Sequence, residues 1–106
     1  MLRARPPTTE RPAIAFCTLL EWESAFPFDR YQQMNDRTES HAGLPEGCLS
    51  RIVGRADTGG ATIIEVWRSS GDAQRFSEHN AHLLAEFGMP QPTRVAAFET
   101  SIFQSR

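Results

Sequence analysis

The 106-residue chain contains no lysine; all eleven of its basic residues are arginine. A lysine Schiff base within the chain is therefore excluded. Cysteine is scarce, with only Cys17 and Cys48, both in apolar strand-like runs, and there is no CxxC spacing or Cys/His cluster. Both read as buried free thiols of a cytoplasmic protein, and no metal site is expected. The formal net charge is only −2, which makes no electrostatic case for nucleic acid. No apolar run reaches the length that spans a bilayer. Residues 1–12 are basic and rich in Pro and Thr but lack the apolar segment of a signal peptide, so they read as a flexible N-terminal arm ahead of a single domain over residues 13–106. No Gly-rich phosphate loop is present, because Gly54, Gly59 and Gly60 fall in a strand and a turn with no helix following at the right place. Flavin and nicotinamide fingerprints are absent too, and no cofactor is expected.

What the chain does have is periodic apolar patterning. Ala13–Trp22 is a continuous apolar run that suits a strand buried on both faces. Pro27 favours a helix start, and over residues 28–38 the positions Phe28, Tyr31, Met34, Asn35 and Thr38 share one helical face. Glu39–Gly47 reads as a loop containing His41. Cys48–Arg55 and Ala61–Arg68 read as strands joined by the turn residues Asp57-Thr58-Gly59-Gly60. Ser69-x-x-Asp72 fits a capping box with Asp in the place of Glu, opening a helix over Gly71–Phe87. That helix turns Ala73, Phe76, Asn80, Leu83, Leu84 and Phe87 inward. Gly88, Pro90 and Pro92 stop it, and Thr93–Phe103 is the last strand.

The order βαββαβ predicts a ferredoxin-like α+β domain, a four-stranded antiparallel sheet with both helices on one face. Its strands are apolar on both sides. Ile63 and Trp67 oppose Ile64 and Val66, and Val95 and Ala97 oppose Ala96, Phe98 and Ile102. Two helices shield one side only, so the other predicts a second copy of the chain stacking against it as a homodimer.

The run Glu65-Val66-Trp67-Arg68-Ser69, with Ala73, Phe76 and His79 on the following helix, resembles the antibiotic-biosynthesis-monooxygenase-like (ABM-like) proteins. Leu19-Leu20-Glu21-Trp22 and Pro45-Glu46-Gly47 contribute to the same resemblance, which covers roughly residues 13–103. It implies a dimeric α+β barrel with a pocket between each subunit's sheet and helices. It does not imply one reaction, since relatives include cofactor-free monooxygenases of polyketide pathways, haem-degrading enzymes, cyclases and lactone isomerases. The chain departs from those relatives at Phe76 and Arg51, where many carry histidine. It also has no asparagine in Ala13–Trp22, where haem-degrading members place one.

Several residues are candidates for the chemistry. Asn35 and Asn80 each sit on the apolar face of a helix, where a buried amide needs a hydrogen-bond partner from a ligand, the backbone or water. Arg51 wants an anion if it faces inward, either a substrate carboxylate or enolate or else Glu65 or Glu99. A three-residue hairpin loop places Arg51 on the face of Glu65 and Trp67, whereas a two-residue loop does not. Tyr31, Trp22, Trp67, Phe76 and Phe16 are candidate pocket walls or core. His79 flanks the apolar face of the second helix, as a rim residue or a general base, while His82 points away. The expected activity is cofactor-independent monooxygenation of a hydrophobic, enolisable or aromatic polyketide-type substrate. Cyclisation, isomerisation or simple ligand binding in the same pocket are the alternatives.

Overall fold

The computed structural model describes residues 15–38 and 43–101. The arm, His41, and the outer ends of the first and last predicted strands (Ala13, Ile14, Ile102, Phe103) lie outside the described residues. The elements run β1 (Ala15–Ser24), α1 (Phe28–Thr38), β2 (Cys48–Arg55), β3 (Gly59–Trp67), α2 (Ser70–Glu86) and β4 (Arg94–Thr100). The sheet is four-stranded and antiparallel in the order β2-β3-β1-β4, with two helices, as the βαββαβ pattern predicts. No helix among the described residues is long and apolar enough to cross a membrane.

Element boundaries differ from the sequence reading where hydrogen bonds leave the ladder. β1 continues past Trp22 because Ser24 pairs with Gly59. β3 ends at Trp67, not Arg68, because the Arg68 N–H turns away to the Gly47 carbonyl (2.9 Å). At the start of α2 the Ser69 hydroxyl accepts from the Asp72 N–H (3.1 Å) and also meets the Asp72 carboxylate (3.1 Å). That is the expected capping pair, with the second bond made to the side chain rather than back to the backbone. Phe87 caps the other end, and Gly88 follows at φ +63, a left-handed conformation that glycine adopts without strain.

The hairpin between β2 and β3 settles which way Arg51 faces. Ala56 N–H donates to Gly60 O and Gly59 N–H to Ala56 O, each at 3.0 Å, with Gly59 at φ +90. This is a three-residue loop over residues 57–59 closed by a left-handed glycine. Its odd count sets Arg51 opposite Glu65, and Val53 opposite Ile63. A bulge between Cys48 and Ser50 inserts Leu49 as an extra residue. Simple alternation puts Leu49 on the face of Arg51; the bulge instead pairs Cys48 with Trp67 there and leaves Leu49 exposed. Gly60 allows the close approach of β1 to the hairpin, since a Cβ on it would collide with the Trp22 carbonyl oxygen.

Between sheet and helices lies the core of Phe26, Tyr31, Met34, Ala61, Ile63 and Leu83, with Leu20, Trp22, Phe28, Phe87 and Met89 packed around it. Phe26 is its aromatic hub, meeting Trp22 and Phe28 at 4.7 Å and Tyr31 at 5.4 Å between ring centroids. Cys17 and Cys48 are both free thiols. Burial pushes the Cys48 thiol above its ordinary range, Glu65 pushes the same way, and Arg51 and a bond to Ser50 oppose them. Cys48 is therefore a protonated packing residue at neutral pH.

Candidate active site

A cavity of about 280 Å³ opens between the sheet and both helices, as the resemblance implies. Each strand face that points toward the helices contributes to it: Thr18, Leu20 and Trp22 from β1, Ile63, Glu65 and Trp67 from β3, Arg51 from β2 and Val95 from β4. α1 supplies Tyr31, Met34 and Asn35, and α2 supplies Ala73, Phe76, Ser77, Asn80 and Leu84. Residues 89–92 lie over one side, and the Trp22 indole N–H holds that segment by donating to the Pro90 carbonyl (2.9 Å). Two prolines stiffen the segment further. The lining is mainly carbon, so polar groups within it stand in poorly solvated surroundings.

Those polar groups are organised around Glu65. Its Oε2 accepts from Arg51 Nε at 3.0 Å, with side chains only 7% and 9% exposed for Arg51 and Glu65 respectively. Its Oε1 accepts from the Thr18 hydroxyl at 3.2 Å, and Thr18 Oγ1 in turn accepts from the Trp67 indole N–H at 3.3 Å. The result is a directional relay, Trp67 to Thr18 to Glu65, ending in a buried ion pair with Arg51. A pair desolvated this far is held by geometry and by its other hydrogen bonds as much as by charge. Of the two anions the sequence left open for Arg51 within the sheet, Glu65 is the one bonded to it.

The ring of Trp67 packs against Phe76 with centroids 5.3 Å apart. Asn35 and Asn80 are both buried in the lining. The cavity thus brings together Arg51, Asn35, Tyr31, Trp22, Trp67, Asn80 and Phe76 of the sequence candidates. Two others fall elsewhere. His79 is exposed and does not line the cavity, because α2 turns its Phe76–Asn80–Leu84 stripe inward and His79 falls beyond the edge of it. Phe16 lies on the helix-facing side, opposite Trp67, but one residue pair beyond Thr18 along β1 and outside the lining. Thr18 was not among the sequence candidates, since a threonine within an apolar strand run carries no signal of its own. Beside the site, Asp72 anchors the start of α2. Burial disfavours its charge, but Arg68, Arg75 and Ser69 outweigh that and hold the carboxyl below its ordinary range.

Sheet, helices and cavity together define an α+β protein of the ABM-like fold. Among solved structures it is similar to MupZ from Pseudomonas fluorescens, with a TM-score of 0.65 and 17% identity over 93% of this chain and 74% of that one. A candidate antibiotic biosynthesis monooxygenase from Chloroflexus aurantiacus J-10-fl gives a TM-score of 0.58 at 16% identity, covering 86% of this chain and 97% of that one. The monooxygenase from the gene ActVA-Orf6 of Streptomyces coelicolor, solved in complex with nanaomycin D, gives 0.53 at 13% identity, covering 88% and 91% respectively. Compared as a sequence, the chain matches no family model and no curated protein. These likenesses show the fold, and the chemistry has to be argued from the site.

Proposed function

We propose that the chain is a small-molecule enzyme of secondary metabolism, a cofactor-independent monooxygenase acting on a hydrophobic, enolisable or hydroxyaromatic substrate. The observation that carries this reading is the apolar cavity of about 280 Å³ with a carboxylate, Glu65, and its counter-ion Arg51 set into its wall. The likeness in fold to a monooxygenase solved with nanaomycin D agrees with it.

The physics of the step is charge conservation in a dry site. A substrate C–H flanked by carbonyl or aryl groups gives its proton to Glu65, each of whose oxygens keeps a lone pair beyond its one bond. The negative charge moves from carboxylate to substrate, and Arg51 stays beside it throughout. No uncompensated charge forms in low dielectric. The carbanion passes an electron to dioxygen, and the radical pair combines to a peroxide anion, which takes the proton back from Glu65; the resulting hydroperoxide then loses water. The balance closes: a substrate methylene and one dioxygen molecule become a carbonyl and one water, with one oxygen atom in each product. Asn35 and Tyr31 hold the substrate's oxygens, while Trp22, Trp67 and Phe76 hold its flat faces.

The test is oxygen uptake on a panel of two- and three-ring hydroxyaromatics and their keto tautomers, with 18O2 labelling. One oxygen atom from O2 is expected in the product carbonyl, and Glu65→Gln is expected to lower the rate by about a hundredfold or more, the usual range for losing a general base. Turnover without oxygen uptake would replace oxygenation by cyclisation or isomerisation, which the same carboxylate serves by moving a proton. Binding without turnover would leave a small-molecule binder.

The unit in solution is proposed to be a homodimer joined through the bare sheet face. Ile52, opposite Ile64, and Phe98, opposite Cys17, lie on the side away from the helices and are 59% and 52% exposed. They stand on the two edge strands of one sheet face, β2 and β4, with Ile64 and Cys17 on the strands between, and large exposed apolar groups spread across a sheet face mark an interface. Sedimentation should give twice the chain mass, and Ile52→Glu with Phe98→Glu should reduce it to a single chain. A monomeric wild-type chain would overturn the dimer.

A further inference from the structure

Asn80 is 8% exposed, and its Oδ1 has no hydrogen-bond partner, the one such buried side-chain polar atom among the described residues. The residue lines the cavity, and on its own helix it stands between Phe76, one turn back, and Leu84, one turn on, both of which line the cavity as well. Other buried polar groups in the wall are engaged with the protein. Glu65 accepts on both oxygens, Thr18 both donates and accepts, and the Trp22 and Trp67 indoles both donate. A buried acceptor without a donor carries a desolvation penalty that a partner would relieve.

We infer that Asn80 is the specificity-determining residue for this cavity: its Oδ1 accepts a hydrogen bond from a neutral hydroxyl carried by a flat apolar ligand of two or three fused rings. The inference rests on the reading of the cavity as the substrate site. The hydroxyl follows from the surroundings. A carboxylate would set oxygen against oxygen at Oδ1, and an ammonium would have a single amide oxygen for its charge between Phe76 and Leu84. The ring count follows from the volume. Filled to a protein-like packing density of roughly 0.74, a cavity of about 280 Å³ takes on the order of 200 Å³ of ligand atoms, the size of a bicyclic or tricyclic body. A site that pairs its buried acceptor with a substrate hydroxyl discriminates strongly against the analogue lacking it, because that analogue leaves the acceptor orphaned.

Isothermal titration calorimetry on the intact protein tests this with 2-naphthol, 2-methoxynaphthalene and 2-naphthoate. The wild-type protein is expected to bind 2-naphthol about tenfold or more tightly than the methyl ether, and the naphthoate most weakly. In Asn80→Leu the affinity for 2-naphthol should fall to within about threefold of the ether, whose own affinity holds or rises because the leucine leaves no orphaned acceptor. Equal binding of naphthol and ether by the wild-type protein would overturn the inference without any variant. So would a preference for naphthol that survives in Asn80→Leu. Absence of binding by all three would overturn the cavity as the substrate site, and the inference with it. Preferential naphthol binding without oxygen consumption would sustain the role of Asn80 and remove only the monooxygenase reading.

Discussion

Replacing Arg51 with methionine is expected to cost about 3–5 kcal/mol of folding stability, the range for stripping the partner from a buried charge. The loss is large because of what stays behind. Glu65 would keep its bond from Thr18 at 3.2 Å but would have no counter-ion in a wall where its side chain is 9% exposed. The counterpart Arg51→Met/Glu65→Leu, which removes both charges and keeps the volume, should recover most or all of that stability, since an apolar pair of similar size avoids the desolvation of two ions. Urea denaturation followed by circular dichroism gives both numbers and their coupling. Activity should behave differently. The double variant is expected to be folded and inactive, because the carboxylate proposed to take the proton and the guanidinium proposed to balance it are both gone. A stable, active double variant would show that the pair is a structural device and would move the chemistry elsewhere in the cavity. A neutral Arg51→Met would show that Glu65 is better solvated than its burial indicates.

The second large effect is expected at Trp67. Its side chain is the largest fully buried one, at 1% exposed, and it serves as a packing wall against Phe76 while its indole N–H donates to Thr18. Trp67→Ala should cost about 3–5 kcal/mol, from lost apolar transfer plus the void left behind. That void would join the cavity, so ligands larger than three rings should gain affinity relative to bicyclic ones even as stability falls. Trp67→Phe keeps an aromatic wall and removes the N–H. It should cost less than the alanine variant, because Thr18 still has Glu65 to donate to. Urea titrations of the two variants separate the packing contribution from the hydrogen bond. If the phenylalanine variant lost as much as the alanine variant, the relay through Thr18 rather than packing would be the dominant role.

Much of the architecture could be read along the chain. The Pro27 break, the Ser69–Asp72 cap and the Gly88 stop are local signals, and each marks a helix end within about a residue of where it forms. The α1 stripe of Tyr31, Met34 and Asn35 and the α2 stripe of Phe76, Asn80 and Leu84 follow from 3.6-residue periodicity, and all six reach the cavity. Arg51 was different. Strand alternation says that Arg51 and Val53 share a side, but not which side, and only the odd loop over residues 57–59 orients the hairpin. The bulge at Leu49 was invisible for the same reason, because an extra residue in one strand exists only relative to its partner. Periodicity sets His79 beside the inward face of α2, and the register puts Phe16 on the helix-facing side of β1. The cavity excludes them by a helical phase angle and by one strand pair, distances finer than a periodic pattern resolves.

By itself the sequence determined the order of elements, the inward stripes of both helices and a sheet apolar on both sides, because these depend on interactions between residues a few positions apart. The tertiary structure alone decided that Glu65 meets Arg51, that Thr18 links Trp67 to that pair, and that Asn80 presents an unpaired acceptor. Each of those facts joins residues from different strands and helices, or depends on the absence of a neighbour. Strand register and helix packing set such distances to a fraction of an ångström, and side-chain periodicity carries no information at that scale.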